Sequence, residues 1–260
     1  MIRSAMRAWS GAIALVLLAF VGAPAPALGQ TIDYDSMTPA EREAFGDSIR
    51  SYLLDNPGVI REAIEALQAQ QESAERLAES SRVRQYMAAL HDTTYHWEGG
   101  NPDGDITMVE FADYRCAFCK RAHPVVKEVL ERDDRVRLIV REYPILGPDS
   151  VAAGRMAMAA FRLDPARYPA LNDELMLFQG DLTETIAYRI AGQLGFDIAE
   201  LKELANSPEI VEEIEKTYRL ADALGVRGTP TFIVGDRIVR GALPIDGLLA
   251  EIEAARRATN

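Results

Sequence analysis

Two cysteines lie three residues apart, at Cys116 and Cys119, and the 260-residue chain contains no others. A strand-like apolar run from Ile106 to Ala112 precedes the pair, and a helix-like stretch begins at Cys116. At a helix N-terminus, unpaired backbone N–H groups and the positive end of the helix dipole favour the thiolate of a cysteine. Because the thiolate is the species that attacks disulfides, the spacing and placement predict a dithiol redox site.

The first 29 residues have the composition of a secretory signal peptide. Arg3 and Arg7 precede an apolar run from Ala12 to Val21, and small residues follow up to Gly29. The run is shorter than the roughly 20 residues that a membrane-spanning helix needs. We therefore predict export to the periplasm with cleavage after Gly29, and an uncleaved anchor is the alternative. In an oxidising compartment a C-x-x-C pair can cycle between dithiol and disulfide.

Composition excludes two classes of protein. The chain has 28 Lys and Arg against 40 Asp and Glu, a formal net charge of −12. Removal of residues 1–29, which contain two arginines and no acidic residue, makes the charge −14 (−12 minus 2). A nucleic-acid partner is therefore not expected. A framework of structural disulfides is excluded because only one cysteine pair exists.

Residues 30–92 are predicted to form a helical segment without a core of its own. A capping box at Thr38–Glu41 starts one helix, and Asn56-Pro57 separates it from a second helix. Two short helices cannot build a stable core alone. We predict that the apolar Phe45–Leu67 face joins copies of the chain into a homo-oligomer and that residues 68–90 form a helical stalk. The alternative is a helix pair docked on the catalytic domain.

Residues 93–260 are predicted to form an α/β catalytic domain. A strand at 106–111, a helix from Cys116 to Arg132 and a strand from Val136 to Glu142 read as a parallel βαβ unit. A strand hairpin and a final helix close the domain. Between these halves, about residues 150–224 are predicted to be helical throughout. The expected helices and hairpin strands are Val151–Phe161, Tyr168–Leu177, Thr183–Leu194, Ile198–Ala205, Pro208–Leu224, Thr231–Val234, Arg237–Arg240 and Ile245–Arg256.

Three separated features resemble the DsbA-like branch of the thioredoxin-fold thiol:disulfide oxidoreductases. They are Cys116-Ala117-Phe118-Cys119 after a strand, Gly228-Thr229-Pro230-Thr231 before the hairpin, and the helical block between the two halves. The N-terminal extension, with Tyr52–Pro57, is similar to the oligomeric ScsC-type and Com1-type members. The resemblance implies a thioredoxin fold with a helical insertion, preceded by an α-helical oligomerisation and stalk segment.

The resemblance also implies roles for the cysteine pair. Cys116 is expected to be the exposed nucleophile, and Cys119 the buried thiol that resolves the mixed disulfide. The Ala117-Phe118 pair lacks the histidine that strongly oxidising relatives carry, so we expect a less extreme oxidant. Phe118 is either a substrate contact or a plain surface residue.

Two further positions complete the expected site. Pro230 resembles the cis-proline of the family, which would leave the Thr229 backbone free to pair with an extended substrate. A trans proline that opens an edge strand is the alternative. Glu110 lies in the apolar strand before Cys116, and we expect it to be partly buried, with a raised pKa, and to exchange a proton with Cys119. Strand alternation that points Glu110 to solvent is the alternative.

A zinc site would need Cys116, Cys119 and His123 together with His91 or His96. A second well-spaced ligand pair is missing, so we expect no metal and no cofactor, with His123 an exposed helical residue.

The leading prediction is an exported enzyme that reduces or isomerises disulfides in client proteins, which carry disulfides or thiols. A membrane redox partner for this enzyme is also expected. The alternatives are a dithiol oxidase, a thiol-based copper buffer and a chaperone-like surface antigen.

Overall fold

The structure is a computed structural model that describes residues 33–259, so the predicted signal peptide lies outside the described residues. Its helices and strands are α1 Pro39–Asp55, α2 Gly58–Gln85, α3 Met87–Leu90, β1 Trp97–Gly100, β2 Ile106–Ala112, α4 Ala117–Arg132, β3 Val136–Glu142, α5 Pro148–Leu163, α6 Tyr168–Leu177, α7 Glu184–Gln193, α8 Ile198–Ala205, α9 Pro208–Leu224, β4 Thr231–Val234, β5 Arg237–Arg240 and α10 Ile245–Thr259. The chain divides into two compact units at Ile64 and Glu65.

The N-terminal unit contains α1 and the first residues of α2. The predicted capping box is present, because the Thr38 hydroxyl accepts from the backbone N–H of Glu41 and the Glu41 side chain accepts from that of Thr38. No residue of α1 is buried. Local signals are therefore sufficient to form α1, which has no buried residue of its own.

The second unit is built on a five-stranded sheet with the order β1-β3-β2-β4-β5. β2 and β3 are parallel and joined by α4, which confirms the predicted βαβ unit, and the other pairs are antiparallel. β1 was not predicted, because Trp97-Glu98-Gly99-Gly100 is short and half glycine. A Cβ at Gly99 would lie 2.2 Å from the Trp97 ring, so glycine lets that ring fold over its own strand.

The helical insertion is present as α5 to α9, and it has its own core against the sheet. Fully buried side chains of α5, α6 and α7 form one apolar cluster, which includes Met156, Leu171, Leu175 and Ala187. α5 begins three residues earlier than predicted, because Pro148 occupies its first turn. The predicted α/β fold with a helical insertion is confirmed.

The C-terminal end of the predicted stalk, residues 68–90, packs on the sheet of the second unit. Val83 and Leu90 are fully buried, in one cluster with Val109 and Phe111 of β2. The Arg141 side chain of β3 donates to the backbone carbonyls of Ala89, Leu90 and Asp92. The apolar side chains of Val83 and Leu90, which lie about two helical turns apart, thus dock the C-terminal end of residues 68–90 on the sheet.

Within residues 33–259, no helix has the length and apolar character needed to cross a membrane.

Candidate active site at the Cys116–Cys119 pair

The loop before the cysteines is fixed by one buried carboxylate. Asp113 accepts hydrogen bonds from the backbone N–H groups of Arg115 and Ile145, each at 2.8 Å, and from the Ser150 hydroxyl at 2.9 Å. These partners belong to the site loop, the segment after β3 and the start of α5. Cys116 is the residue that caps α4, so its sulfur lies at the first turn of that helix.

Cys116 is only 7% exposed, which corrects the prediction of an exposed nucleophile. Its Sγ donates to the backbone carbonyl oxygen of Thr229 at 3.1 Å, because the loop before β4 covers the first turn of α4. The Thr229 carbonyl is therefore occupied in this state, whereas the sequence predicted a free Thr229 backbone. The peptide bond between Thr229 and Pro230 is cis.

Hydrogen bonds lower the pKa of the Cys116 thiol to about 5. The largest contribution is the hydrogen bond from the Cys119 side chain, and burial opposes it. The Thr229 side chain and the backbone N–H groups of Cys119 and Phe118 lower the pKa further. The helix N-terminus thus contributes as predicted, but the second thiol contributes more.

Cys119 has the opposite character. It is fully buried one turn into α4. The hydrogen bond with Cys116, its burial and the negative charge of Glu110 all raise its pKa. The two sulfurs therefore differ at neutral pH, with Cys116 a thiolate and Cys119 a thiol.

Glu110 lies inside the sheet on β2, opposite Val140 of β3 and Phe232 of β4. Six of the seven residues of β2 are buried, Glu110 among them, so the alternative of a solvent-facing carboxylate is wrong. Burial raises the pKa of Glu110 to about 7. A carboxyl group with this pKa can take up or release a proton near neutral pH.

The three predicted substrate contacts meet at one groove beside the cysteines. Phe118, Thr229 and Pro230 line it together with Arg227 and Arg240. The Phe118 side chain is 53% exposed, although it stands between two buried cysteines. The groove therefore presents the Phe118 ring and the backbone of Thr229 next to the Cys116 sulfur.

Comparison with protein families decides the class. The model of the DSBA-like thioredoxin domain matches residues 107–253, more than half of the chain and all of the site described above. The chain belongs to the DSBA-like thioredoxin family. A second model, the copper resistance protein ScsC N-terminal domain, matches residues 41–74 in α1 and α2.

Solved structures agree with the family. A thioredoxin-like oxidoreductase from Silicibacter pomeroyi DSS-3 is 38% identical with a TM-score of 0.62, covering 65% of this chain and 96% of its own. A periplasmic thioredoxin-like protein from Salmonella enterica serovar Typhimurium is 28% identical, with a TM-score of 0.59 and coverage of 65% and 94%. BcfH from Salmonella enterica Typhimurium is 26% identical, with a TM-score of 0.66 and coverage of 83% and 96%.

The chain spans only 29% of the length of a curated relative, the Na⁺/H⁺ antiporter NhaA 3 of Salinispora tropica. The two are 28% identical over 191 residues, which cover 70% of this chain. The matched domain contains the C-x-x-C dithiol of Cys116 and Cys119.

The DsbA-like domain holds a further buried carboxyl group, which the sequence analysis missed. Glu142 ends β3, and the hydroxyl groups of Tyr114 and Tyr168 each donate to its Oε1 at 2.8 Å. Burial raises the pKa of Glu142 to about 8. An acidic residue in an apolar strand is the signal that singled out Glu110, and it could have found Glu142, the last residue of the apolar β3, as well.

The histidines lie in separate environments. His123 is buried, not exposed as predicted, because α6 covers it and Asp173 Oδ1 lies 2.7 Å from its Nε2. His96 is buried elsewhere, against Arg141 and Glu213. Across the described range 33–259, no group of three His, Cys, Asp or Glu side chains is placed to hold a metal ion.

Proposed function

We propose that this protein is an exported thiol-disulfide oxidoreductase that reduces or isomerises the disulfides of client proteins. The observation that carries the proposal is the Cys116 thiol, whose pKa of about 5 makes it a thiolate at neutral pH. That value lies between about 7 for thioredoxin and about 3.5 for the strong oxidant DsbA. Weaker stabilisation of the thiolate lowers the oxidising power of the pair.

The steps follow from the unequal sulfurs. The Cys116 thiolate attacks a client disulfide, forms a mixed disulfide and releases one client thiolate. Cys119 then gives its proton to Glu110 and attacks the Cys116 sulfur, which forms the Cys116–Cys119 disulfide and releases the second client thiolate. When a client thiolate attacks the mixed disulfide instead, the client is isomerised and the dithiol is recovered.

The same ionisation prepares the groove for a client. A Cys116 thiolate no longer donates to the Thr229 carbonyl, which becomes available to a backbone N–H of an extended client segment. The exposed ring of Phe118 supplies apolar contact beside it. Binding would then depend on backbone shape and apolar surface, which suits clients of varied sequence.

The N-terminal helices are proposed to bind second copies of the chain. Ile60, Ile64 and Leu67 recur at helical spacing on α2, and each is about half exposed. The match of residues 41–74 to the ScsC N-terminal domain supports a shared role for this segment. Several dithiols in one assembly could engage a misfolded client at more than one disulfide.

Export is proposed from the composition of residues 1–29 and from the likeness to a periplasmic thioredoxin-like protein. A reductase outside the cytoplasm needs an electron supply, so a membrane redox partner is part of the proposal. The copper alternative has little support in the matched segment, because residues 41–74 contain no Cys, His or Met.

The deciding experiment is thiol trapping of the full-length protein in its host, with the Cys116→Ser variant as the one-thiol reference on the gel. The proposal expects the pair to be mainly reduced and the purified protein to refold scrambled ribonuclease. A fully oxidised pair in cells would refute the reductase and indicate the dithiol oxidase. Stoichiometric copper on the reduced, purified protein without refolding activity would indicate the metal buffer.

A further inference from the structure

One cavity leads from the buried site to the surface. It has a volume of about 230 Å³ and lies between β2, β3, α4 and α6. Glu110 opens onto it at the buried side, whereas Lys127, Glu131 and Asp173 line its exposed side. A water molecule needs only about 10–15 Å³ of accessible space, so the cavity has room for a chain of water molecules.

A histidine and a carboxylate lie between the cavity and solvent. His123 also lines the cavity, and its Nε2 is 2.7 Å from Asp173 Oδ1. The other oxygen of Asp173 accepts from Lys127 Nζ at 2.5 Å. Because the His123 ring is buried and Asp173 is partly exposed, the pair reaches from the cavity wall to the surface.

The backbone of Glu110 is paired within the sheet, but its carboxyl group makes no hydrogen bond to another side chain or to the backbone in the part of the chain that the structure describes, although it is buried. A proton that it takes from Cys119 therefore has no protein acceptor next to it. The carboxyl group does, however, line the cavity.

We propose that His123, paired with Asp173, relays protons between this cavity and solvent, and so acts through Glu110 on the redox step. The proposal rests on the proposed role of Glu110. When Cys119 attacks the mixed disulfide, its proton goes to Glu110, then through cavity water to His123, and leaves by Asp173. The two electrons that reduce the client come from the two cysteines, and the released client thiolate takes its proton from solvent.

Other charged groups face the two ends of this path. At the inner end, the hydrogen bond with Cys116 and burial raise the pKa of Cys119 on α4, and the charge of Glu110 raises it further. Burial raises the pKa of Glu142 on β3 and of Tyr168 on α6, and the charge of Glu110 again adds to the shift. At the outer end, burial lowers the pKa of His123, and Asp173 opposes that shift. The Lys127 ammonium lowers the pKa of His123 as well.

The test measures the resolving step in the full mature chain. Reduced protein is mixed rapidly with oxidised glutathione, and release of the second glutathione is followed from pH 5 to pH 9. The variants are His123→Ala and Asp173→Asn, with His91→Ala as a matched control for loss of a histidine outside the cavity. Formation of the mixed disulfide by Cys116 serves as an internal reference.

We expect His123→Ala to slow resolution about tenfold, less than the ~100-fold or more lost with a group that takes the proton itself. Added imidazole should restore much of the rate, Asp173→Asn should shift the pH profile, and His91→Ala should match the wild type. Wild-type resolution in His123→Ala, or slowing that imidazole does not relieve, would overturn the relay. If Glu110→Gln slows resolution while His123→Ala does not, only the relay fails; if neither does, the role of Glu110 fails too.

Discussion

The strand that carries Glu110 and the helices at the N-terminus show opposite uses of apolar residues. Six of the seven residues of β2 are buried within the catalytic domain. α1 has no buried residue, and α2 exposes Ile60, Ile64 and Leu67 at helical spacing. The catalytic domain thus completes its own core, whereas the N-terminal helices leave apolar side chains exposed, which is why we propose that they bind other copies of the chain.

This difference separates chemistry from assembly. The low pKa of Cys116 depends on groups within the catalytic domain, namely Cys119, Thr229 and the first turn of α4. All of these groups belong to the second unit. Variants in one region should therefore leave the property of the other region unchanged.

The largest effect is expected from the cysteines. Cys116→Ser should lower the rate of disulfide exchange by more than about a thousandfold, because only a thiolate attacks. Cys119→Ser should instead trap mixed disulfides with clients, visible as adducts on a non-reducing gel. Both variants should have the same mass as the wild type in light scattering. A changed mass would contradict the conclusion that redox chemistry and assembly depend on different regions of the chain.

The second largest effect is expected from Glu110→Gln. The attack of Cys119 on the mixed disulfide should be slowed about 100-fold at neutral pH, because the amide cannot accept the Cys119 proton. Glu110 must be ionised to accept a proton, so the wild-type rate should rise as the pH passes through about 7. This inflection should be missing in the variant. Resolution that equals the wild type at every pH would remove Glu110 from the mechanism.

A charged substitution on the exposed face should affect only assembly. Ile60→Glu combined with Ile64→Glu should convert the mature protein to a monomer in light scattering. We expect ribonuclease isomerisation to fall about tenfold through lost multivalency, while exchange with glutathione is unchanged. Glu62→Ala with Glu65→Ala is the matched pair on the same helix. A wild type that is already monomeric would refute the oligomer.

The smallest effect concerns the contact of α2 with the hairpin of β4 and β5. The Arg84 guanidinium lies 2.5 Å from Asp236 Oδ2, and the side chain of Arg84 is mostly exposed. Arg84→Gln should lower the free energy of unfolding by less than about 1 kcal/mol, because exposed ion pairs contribute little. Denaturant unfolding of the wild type and the variant measures this difference in the free energy of unfolding. A much larger decrease would mean that this contact orders the whole C-terminal end of α2.

The sequence was sufficient wherever local pattern determines structure. The βαβ unit, the insertion helices and the hairpin follow from periodicity, caps and turn residues. The sequence did not reveal contacts between distant residues. The burial of His123 depends on Asp173, fifty positions away, and the carbonyl next to Cys116 belongs to Thr229. β1 was missed because its pairing with β3, not its glycine-rich sequence, makes it a strand.

The most direct test of the account is titration of the Cys116 thiolate by its absorbance near 240 nm, in the reduced mature protein with the oxidised form as blank. A lowered pKa means that Cys116 loses its proton at low pH, so this absorbance should rise as the pH passes through about 5 and then stay level to neutral pH. Thr229→Ala should move the midpoint upward, because it removes one hydrogen bond to the thiolate. A midpoint near 8.5, the value of a free cysteine, would contradict the assignment of this pair as the reactive centre.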